Sequence, residues 1–227
     1  MMKTNHYVVR GTIELVSGTR IGGSDDALQI GGTDLTCIKD PVTGRPYIPG
    51  SSVKGRMRSC LERALGKTGG QNNREPCGCA KDDCCVCRVF GPHKRADHRL
   101  GPTRLIVRDA PLLDETFAIE NKTESVNRRD TGAAEHPRTV ERVAAGARFG
   151  LEIAIQEYDI DSGLRYPDAD GKDESGHRAL WNVVMHALDL MEQTGIGAGT
   201  GKGYGQVRIT IEPIQTVRRT RRATFAT

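Results

Sequence analysis

Aromatic residues are scarce in this sequence, and its first stretch has no long apolar run. Phe, Trp and Tyr make up 4% of the 227 residues, which is low for a protein that stacks nucleic-acid bases on aromatic platforms. The stretch MMKTNHYVVRGTIELV contains no continuous apolar segment, so we expect no signal peptide and no membrane span. We therefore expect a cytoplasmic protein, in a compartment where disulfide bonds are rare.

Nucleotide-binding motifs are also missing, although the stretch GIGAGTGKGYGQV has glycine at every second position from 195 to 205. A Walker motif needs glycine where Ile196 stands and Ser or Thr after Lys202, and no register gives G-x-G-x-x-G. What remains is a loop whose backbone can approach RNA closely and offer N–H groups to phosphates. The alternative interpretation is a long flexible turn. We predict RNA contacts from four residues of this loop: Gly199, Gly201, Lys202 and Gly203.

The apolar pattern predicts an α+β fold in one large domain. With 37% apolar residues and a net charge of +4, the chain can bury a sizeable core and is mildly basic, which is compatible with nucleic-acid binding. The predicted order is β, α, β, β, α, β, at residues 7–16, 51–65, 104–110, 148–158, 177–191 and 205–214. This order is the ferredoxin-like arrangement of RRM-like domains. Two polar, aperiodic stretches are predicted to be insertions: 71–102 and 115–147.

The stretch YIPGSSVKGRMR opens the first predicted helix. Ser51 or Ser52 can cap this helix, while Lys54, Arg56 and Arg58 lie in its first two turns, where the dipole disfavours cations. A bound polyanion would reverse that penalty, because the N–H groups at this helix end and the three cations can bind one phosphate strand. The helix is predicted to bury five residues: Val53, Met57, Leu61, Ala64 and Leu65.

Two further basic stretches, ESVNRRDTGAAEHPRTVERV and VRRTRRATF, can also contact phosphate. From the first we select Arg128 and Arg138 as candidate RNA-binding residues. The alternative is a solvated surface, which is the more common role of a charge run.

Five of the seven cysteines lie in the stretch PCGCAKDDCCVC. Cys84 and Cys87 form a C-x-x-C pair, a spacing that lets two thiolates share one tetrahedral ion, and we predict that Cys77 and Cys79 complete a structural zinc site. This insertion has few apolar residues, so we expect it to need a metal cross-link of this kind to stay ordered. The alternatives are disulfides or free thiols. Two histidines just beyond the cluster are alternative ligands: His93 and His98.

Two near copies, RIGGSDD and QIGGTDL, place aspartates after Gly-Gly pairs. Exposed carboxylates there could hold a divalent cation against a scissile phosphate or draw a proton from a 2′-hydroxyl. Ordinary turn-forming aspartate is the alternative interpretation. The residue pattern does not select among four candidates: Asp25, Asp26, Asp34 and Asp40.

Several of these stretches together resemble a known family. YIPGSSVKGRMR resembles the helix-opening signature of the RAMP superfamily, GAGTGKGYGQV resembles its C-terminal glycine-rich loop, and HPRTVERV falls at its thumb insertion. The stretch RIGGSDDALQIGGTDLTCIKDPVTGRPYIPGSSVKG is similar to the backbone subunit of type III CRISPR effector complexes, the third subunit of the Csm kind. The similarity extends over most of the chain, residues 7–213.

The resemblance implies a single RAMP domain over residues 1–227 that binds CRISPR guide RNA. It implies a helical filament with further copies of this chain or similar subunits, and contact with other type III effector subunits. Guide-complementary target RNA would be cut beside each thumb with Mg²⁺ or another divalent cation, and the resemblance assigns Asp34 as the catalytic residue. The cysteine insertion would be a zinc-binding elaboration found in some relatives. The alternatives are a filament scaffold without chemistry, a nuclease that processes the guide precursor, and a zinc module with no RNA role.

Overall fold

The sheet and helices form close to where the apolar pattern predicts them. The computed structural model describes residues 3–22 and 35–213. In chain order the elements are β1 (Lys3–Leu15), β2 (Tyr47–Ile48), α1 (Gly50–Ala64), α2 (Cys85–Phe90), β3 (Leu105–Val107), β4 (Ala110–Pro111), β5 (Ile119–Asn127), β6 (Ala134–Val143), β7 (Arg148–Tyr158), β8 (Arg165–Pro167), β9 (Asp173–Ser175), α3 (Gly176–Thr194) and β10 (Val207–Ile211). Short 3₁₀ turns cover Gln71–Asn73, Asp159–Gly163 and Thr200–Lys202. The chain is thus a mixed α/β protein with few helices.

The main sheet is antiparallel throughout, in the order β10–β1–β7–β3. At its centre β1 and β7 form a long ladder in which Val9 lies opposite Ile153 and Ile13 lies opposite Phe149. All four side chains are buried, because alternate residues of a strand point to the same face. The alternation predicted for the first strand and for residues 148–158 is therefore confirmed.

α1 and α3 pack against the apolar face of this sheet and against each other. α3 buries Leu180, Val184, Leu188 and Met191, which recur at the spacing of one helix face. In the described part of the chain, no helix combines the length and the apolar content needed to cross a membrane.

α1 buries Val53 and Met57 as predicted, but its last residues differ from the prediction. Ala64 is exposed and Leu65 is only half-buried. The helix ends at Ala64. In its last turn Glu62 is buried, and it accepts a hydrogen bond from the Cys77 N–H of the cysteine-rich segment.

The two polar stretches contain regular structure that their sequence pattern does not reveal. Within 71–102, α2 buries Val86, Val89 and Phe90 in the main core, so this segment has apolar anchors as well as cysteines. Within 115–147, β5 and β6 pair as an antiparallel hairpin. Because β5 is mostly polar and exposed, and β6 buries only Val140 and Val143, which are three residues apart, the hairpin lacks the alternation that marks a half-buried strand. The strand predicted at 104–110 is divided into β3 and β4, and β4 pairs with β2.

A buried ion cluster joins the cysteine-rich segment to the sheet. The Asp161 carboxylate accepts hydrogen bonds from Arg104 Nη2 at 2.6 Å and from Arg88 Nη1 at 3.2 Å. Arg88 lies in α2, Arg104 immediately precedes β3, and Asp161 follows β7. Burial favours the protonated form of Asp161, but hydrogen bonds from Arg104, from the Tyr158 N–H and from Arg88 outweigh it and lower its pKa. The cluster therefore holds α2 at a defined place beside the sheet.

We expect Asp161→Asn to lower the free energy of unfolding by about 3–5 kcal/mol, because two buried guanidinium groups would lose their counter-charge. Denaturant unfolding of the full chain at neutral pH measures the loss. The control is Asp173→Asn, which removes an exposed ion pair with Arg165 and should cost less than about 1 kcal/mol. Folding lowers the pKa of Asp161 from 3.8. The difference in free energy of unfolding between wild type and Asp161→Asn should therefore shrink only as the pH falls below that value, where wild-type Asp161 becomes protonated. Equal losses in the two variants would contradict a stabilising role for the cluster.

Candidate nucleic-acid interface and metal centre

The glycine-rich loop between α3 and β10 packs one side against the protein and leaves its tip open. Gly205 has a φ of +65°, and a Cβ there would lie 1.8 Å from the Ile196 carbonyl oxygen. At Gly201 and Gly203, by contrast, an added Cβ would meet nothing within 4 Å. The inner glycines thus let two backbone segments touch. The tip leaves open space beside Gly201 and Gly203, although Gly203 donates its N–H to the Thr200 carbonyl oxygen and accepts a hydrogen bond from Ser17 Oγ. Internal packing explains part of the glycine alternation without any ligand.

The loop is fixed to the segment that follows β1. Thr19 is buried, and its Oγ1 donates a hydrogen bond to the Ile196 carbonyl oxygen at 2.9 Å. The Ala198 N–H donates to the Arg20 carbonyl oxygen at 2.8 Å. The segment that follows β1, a central strand of the sheet, therefore lies directly against the glycine loop.

Of the four acidic candidates, the structure describes only Asp40. One oxygen of Asp40 accepts hydrogen bonds from the N–H groups of Val42 and Thr43 and from Thr43 Oγ1. These bonds, those from Thr43 foremost, lower the pKa of Asp40, which is an ordinary turn-forming aspartate. Leu35, the first described residue after the gap, forms a bridge with Val140 of β6. The other three candidates lie outside the described residues: Asp25, Asp26 and Asp34.

α1 begins at Gly50, with Pro49 as its N-cap and no capping side chain. The prediction that Ser51 or Ser52 caps the helix is wrong, because both lie inside its first turn. The Gly50 N–H instead donates to the Asp109 carboxylate at 2.8 Å. Without a side chain, Gly50 can pack against the backbone after β3, and this brings Asp109 to the helix end. An acid of the chain itself thus occupies part of a position that favours anions.

Arg56 joins α1 to the start of the glycine loop. Its Nε and Nη2 donate to the carbonyl oxygens of Gly195 and Thr194, each at 2.7 Å. Carbonyl groups at the C-terminus of a helix lack intrahelical donors, and their partial negative charge favours a cation. The unfavourable place of Arg56 in α1 is therefore offset by a favourable one at the end of α3.

Lys54 and Arg58 also bind within the chain. Lys54 Nζ donates to the Leu105 carbonyl oxygen at 2.9 Å, and burial, followed by the charge of Arg58, lowers the pKa of Lys54. Arg58 donates to Glu62 and to the Cys77 carbonyl oxygen, both at 2.8 Å. These contacts explain part of the cation pattern of α1 without a polyanion.

The β5–β6 hairpin contacts the glycine loop through one carboxylate. Glu124 of β5 accepts hydrogen bonds from Tyr204 Oη at 2.5 Å, Arg138 Nη2 at 2.8 Å and Lys202 Nζ at 3.0 Å. These bonds, the one from Tyr204 foremost, lower the pKa of Glu124 to about 2. Arg138 and Lys202, which come from separate sequence stretches, are thus brought together. Arg128 lies near the hairpin tip, where it pairs with acids of the hairpin itself.

Four cysteine thiols converge in the way that their spacing predicts: Cys77, Cys79, Cys84 and Cys87, whose Sγ atoms all lie within 4.8 Å of one another. The Sγ separations are 3.9 Å for Cys77–Cys84, 3.7 Å for Cys79–Cys87 and 3.6 Å for Cys77–Cys87. A tetrahedral zinc ion with bonds of about 2.3 Å places its sulfur ligands about 3.8 Å apart, so the thiols fit such a site. Among the described residues, this is the one group of His, Cys, Asp or Glu side chains placed to share a metal ion. The two histidines predicted as alternatives lie outside it: His93 and His98.

The backbone around these cysteines is fixed by both neighbouring helices. Cys84 is the N-cap of α2, and its Sγ accepts the Cys87 N–H at 3.5 Å. Glu62 of α1 accepts the Cys77 N–H at 2.8 Å. A hydrogen bond from Cys87 lowers the pKa of Cys84 to about 5, whereas burial raises the pKa of Cys85, which packs in the core, to about 11. All seven cysteines are free, so the disulfide alternative is not realised.

Sequence reasoning missed several residues that build this region. Tyr204 is the one aromatic residue within the glycine stretch, and that contrast was the available signal. Thr19, Asp109 and Glu124 act through partners distant in the sequence, so no local pattern marks them.

Comparison with known sequences gives consistent matches. The family model described as the RAMP superfamily matches residues 12–208. A protein named "CRISPR system Cms endoribonuclease Csm3" from Methanothermobacter thermautotrophicus is 38% identical over 225 residues, which cover 89% of this chain and 82% of the relative. A protein of the same name from Methanocaldococcus jannaschii is 34% identical over 210 residues, which cover 88% of this chain and 77% of the relative.

Two solved structures are also similar. The Csm3–Csm4 subcomplex of the type III-A CRISPR-Cas interference complex contains a chain with a TM-score of 0.55 and 26% identity, over 94% of this chain and 79% of that one. The type III-B Cmr-beta complex bound to cognate target RNA contains a chain with a TM-score of 0.59 and 20% identity, over 93% of this chain and 61% of that one. The second likeness concerns the fold alone.

We expect Gly205→Ala to lower the free energy of unfolding by about 2–3 kcal/mol, because the new methyl group would clash with the Ile196 carbonyl and the residue has a positive φ. Gly201→Ala, at the open tip, should change it by less than about 1 kcal/mol. Denaturant unfolding of both variants measures the difference. Similar losses in the two would show that the inner side of the loop is not packed as described.

Proposed function

This chain belongs to the RAMP superfamily, and we propose that it is a guide-RNA-binding backbone subunit of a type III CRISPR effector complex that cuts guide-complementary target RNA. Relatives up to 38% identical are named as Csm3 endoribonucleases, and the likeness to a Csm3–Csm4 subcomplex supports the same assembly. Its proposed partners are CRISPR guide RNA, target RNA, further copies of itself or similar subunits, and other type III effector subunits.

The observation that carries this proposal is the convergence of three segments distant in the sequence. Arg56 ties the start of α1 to the glycine loop, and Lys202 ties that loop to the β5–β6 hairpin. Lys202 and Arg138 remain 57% and 50% exposed despite their pairing. Gly201 and Gly203, which flank Lys202 in the chain, leave open space next to it. A phosphate strand would find two exposed cations there and room to approach the backbone at Gly201, whereas base pairing would supply sequence specificity.

The start of α1 would extend this surface. Ser51 is exposed and Ser52 is half-buried in the first turn. Arg56 and Arg58 each have guanidinium donors beyond those used inside the chain, and Lys54 has further ammonium hydrogens. We assign these five residues to guide binding, and at the margins of the surface we add two more: Gly199 and Arg128.

The strand order supports the finer fold assignment. β1 and β3 both run antiparallel to β7, which lies between them, so β1, α1 and β3 form the split βαβ unit of ferredoxin-like, RRM-like domains. We assign residues 1–227 to one RAMP domain with a zinc-binding insertion at 71–102 and a thumb at 115–147, which contains the β5–β6 hairpin.

The four clustered cysteines would hold a structural zinc ion. Four sulfur ligands would fill all four coordination positions of the ion, so the ion would cross-link the insertion and take no part in cleavage. Such a cross-link adds to the apolar anchors of α2, because metal binding contributes directly to folding. Free thiols suit a reducing compartment, and we propose the cytoplasm.

For cleavage we propose Asp34 as the catalytic residue. Leu35, the next residue in the chain, forms a bridge with Val140 of β6, and the Asp40 carboxylate is already bound within its own turn. An Asp34 carboxylate would help to hold Mg²⁺ or another divalent cation, which supplies charge stabilisation at a scissile phosphate. A guide-binding scaffold without chemistry is the alternative function.

We expect the purified chain to contain one zinc ion and the double variant Cys77→Ser/Cys84→Ser to contain none, with a lower midpoint of thermal unfolding. Elemental analysis and calorimetry measure the two effects. Cys60→Ala is the control, because Cys60 is buried outside the cluster and should leave the zinc content unchanged. A metal-free wild type, or a double variant that keeps its zinc, would rule out the site.

We expect Asp34→Ala to reduce target cutting by the assembled complex by about 100-fold or more, because the metal would lose a ligand, while guide RNA is retained. Asp40→Asn, which weakens only the turn, is the matched control and should cut normally. Product analysis on complementary RNA, with and without a chelator, measures both variants. Normal cutting by Asp34→Ala would overturn the residue assignment, and a wild-type complex that holds guide but never cuts would favour the scaffold.

A further inference from the structure

One carboxylate joins the thumb hairpin to the glycine loop. Both oxygens of Glu124 are used: Oε1 accepts from Tyr204 Oη, and Oε2 accepts from Arg138 Nη2 and Lys202 Nζ. The Glu124 side chain is only 14% exposed. Because its pKa lies far below neutral, it is ionised whenever the protein is folded at physiological pH. A charged group with three donors from two elements is a defined contact rather than a loose surface pair.

Tyr204 reaches from the glycine loop onto the face of the hairpin. Its ring is buried and lies 4.5 Å from Lys122 Nζ and 4.4 Å from Arg142 Cζ, measured to the ring centroid. These are cation–π distances, and the interaction strengthens where water is excluded. On its loop side the ring lies over Gly199, where a Cβ would approach it to 2.9 Å. The ring therefore fits between the two elements and fixes their separation.

This contact is the outermost one that holds the hairpin. At the hairpin base, Thr19 and Leu35 form bridges with Val143 and Val140. Beyond Glu124, in the described part of the chain, the hydrogen bonds and ion pairs found for residues 125–137 stay within the hairpin. A support at the base alone would leave the tip free to swing, so the angle of the thumb depends on the Glu124 contact.

We propose that Glu124, acting with Tyr204, is a positioning residue that sets the thumb hairpin at a fixed angle to the glycine loop. By binding Arg138 and Lys202 with the same oxygen, it keeps one cation of each element side by side along the path of the RNA backbone. This inference rests on the proposed function, because the angle has a consequence only if RNA lies across both elements. It assigns Glu124 no contact with RNA and no part in bond breaking.

Three isosteric changes separate this role from a general effect of charge. Glu124→Gln keeps the shape and an acceptor for Tyr204, but leaves two adjacent cations without a counter-charge. Tyr204→Phe removes only the hydroxyl group. The matched control is Glu152→Gln, since Glu152 also lies between two cations, Arg10 and Arg108, on an exposed part of the sheet.

Hydrogen–deuterium exchange of the full chain without RNA tests the contact itself. Glu124→Gln should raise exchange of the β5 and β6 amides by about tenfold, Tyr204→Phe should raise it less, and Glu152→Gln should leave these amides unchanged. Unchanged exchange in Glu124→Gln would overturn the proposal at this step, whatever the function of the protein.

The assembled complex tests the positioning role. Glu124→Gln should retain guide RNA within about threefold of wild type, since no cation is lost, but should slow single-turnover cutting about tenfold and spread the cuts over neighbouring positions. If the wild type binds guide without cutting, chemical probing of the guide replaces this readout, and the variant should lose the regular protection pattern. Faster exchange with an unchanged cutting or protection pattern would show that Glu124 is only a structural contact and would overturn the proposal.

A wild-type complex that binds no guide would refute the proposed function and the positioning role together, while the exchange result would still decide whether the contact holds the hairpin.

Discussion

The close packing of the glycine loop on its own backbone and on the end of β1 is the constraint on which the rest of the surface depends. The Ile196 N–H donates to the Gly205 carbonyl oxygen at 2.8 Å, and Thr19 holds Ile196 from the other side. No side chain fits at Gly205, so a residue other than glycine there would force the two ends of the loop apart. Its tip, with Lys202, is placed by that packing, and α1 and the β5–β6 hairpin contact the loop through Arg56 and Glu124.

The cations of this region are held in position by contacts within the protein. Arg56 lies on the carbonyl groups that end α3, and Arg138 and Lys202 share the ionised carboxylate of Glu124. Pairing lowers the net charge of the surface, but it also removes the entropy that long flexible side chains would lose on binding. A polyanion gains from such preorganisation, because the cations are already held in place by the protein.

The core and the cysteine cluster could be predicted from the sequence, whereas the strand pairing of the β5–β6 hairpin and the loop contacts could not. The β1 and β7 alternation and the C-x-x-C spacing are local patterns that carry their structural meaning within a few residues. The β5–β6 hairpin has no such pattern, because β5 is mostly polar and exposed and the two buried residues of β6, Val140 and Val143, do not alternate. The cap on α1 comes from Asp109, and no rule about residues near Ser51 could identify a partner so distant in the sequence. The glycine alternation was noticed, but only the structure separates the packed Gly205 from the open Gly201.

We propose that a single RNA strand runs over the glycine-loop tip, the start of α1 and the face of the β5–β6 hairpin that contacts the loop. Ultraviolet cross-linking of guide RNA in the assembled complex, followed by mass spectrometry of the linked peptides, tests that claim most directly. We expect cross-links in the peptides that contain Gly201–Gly203, Ser51–Ser52 and Arg138. Cross-links confined to the opposite face of the sheet, around Arg10 and Arg208, with none in those three segments, would contradict it.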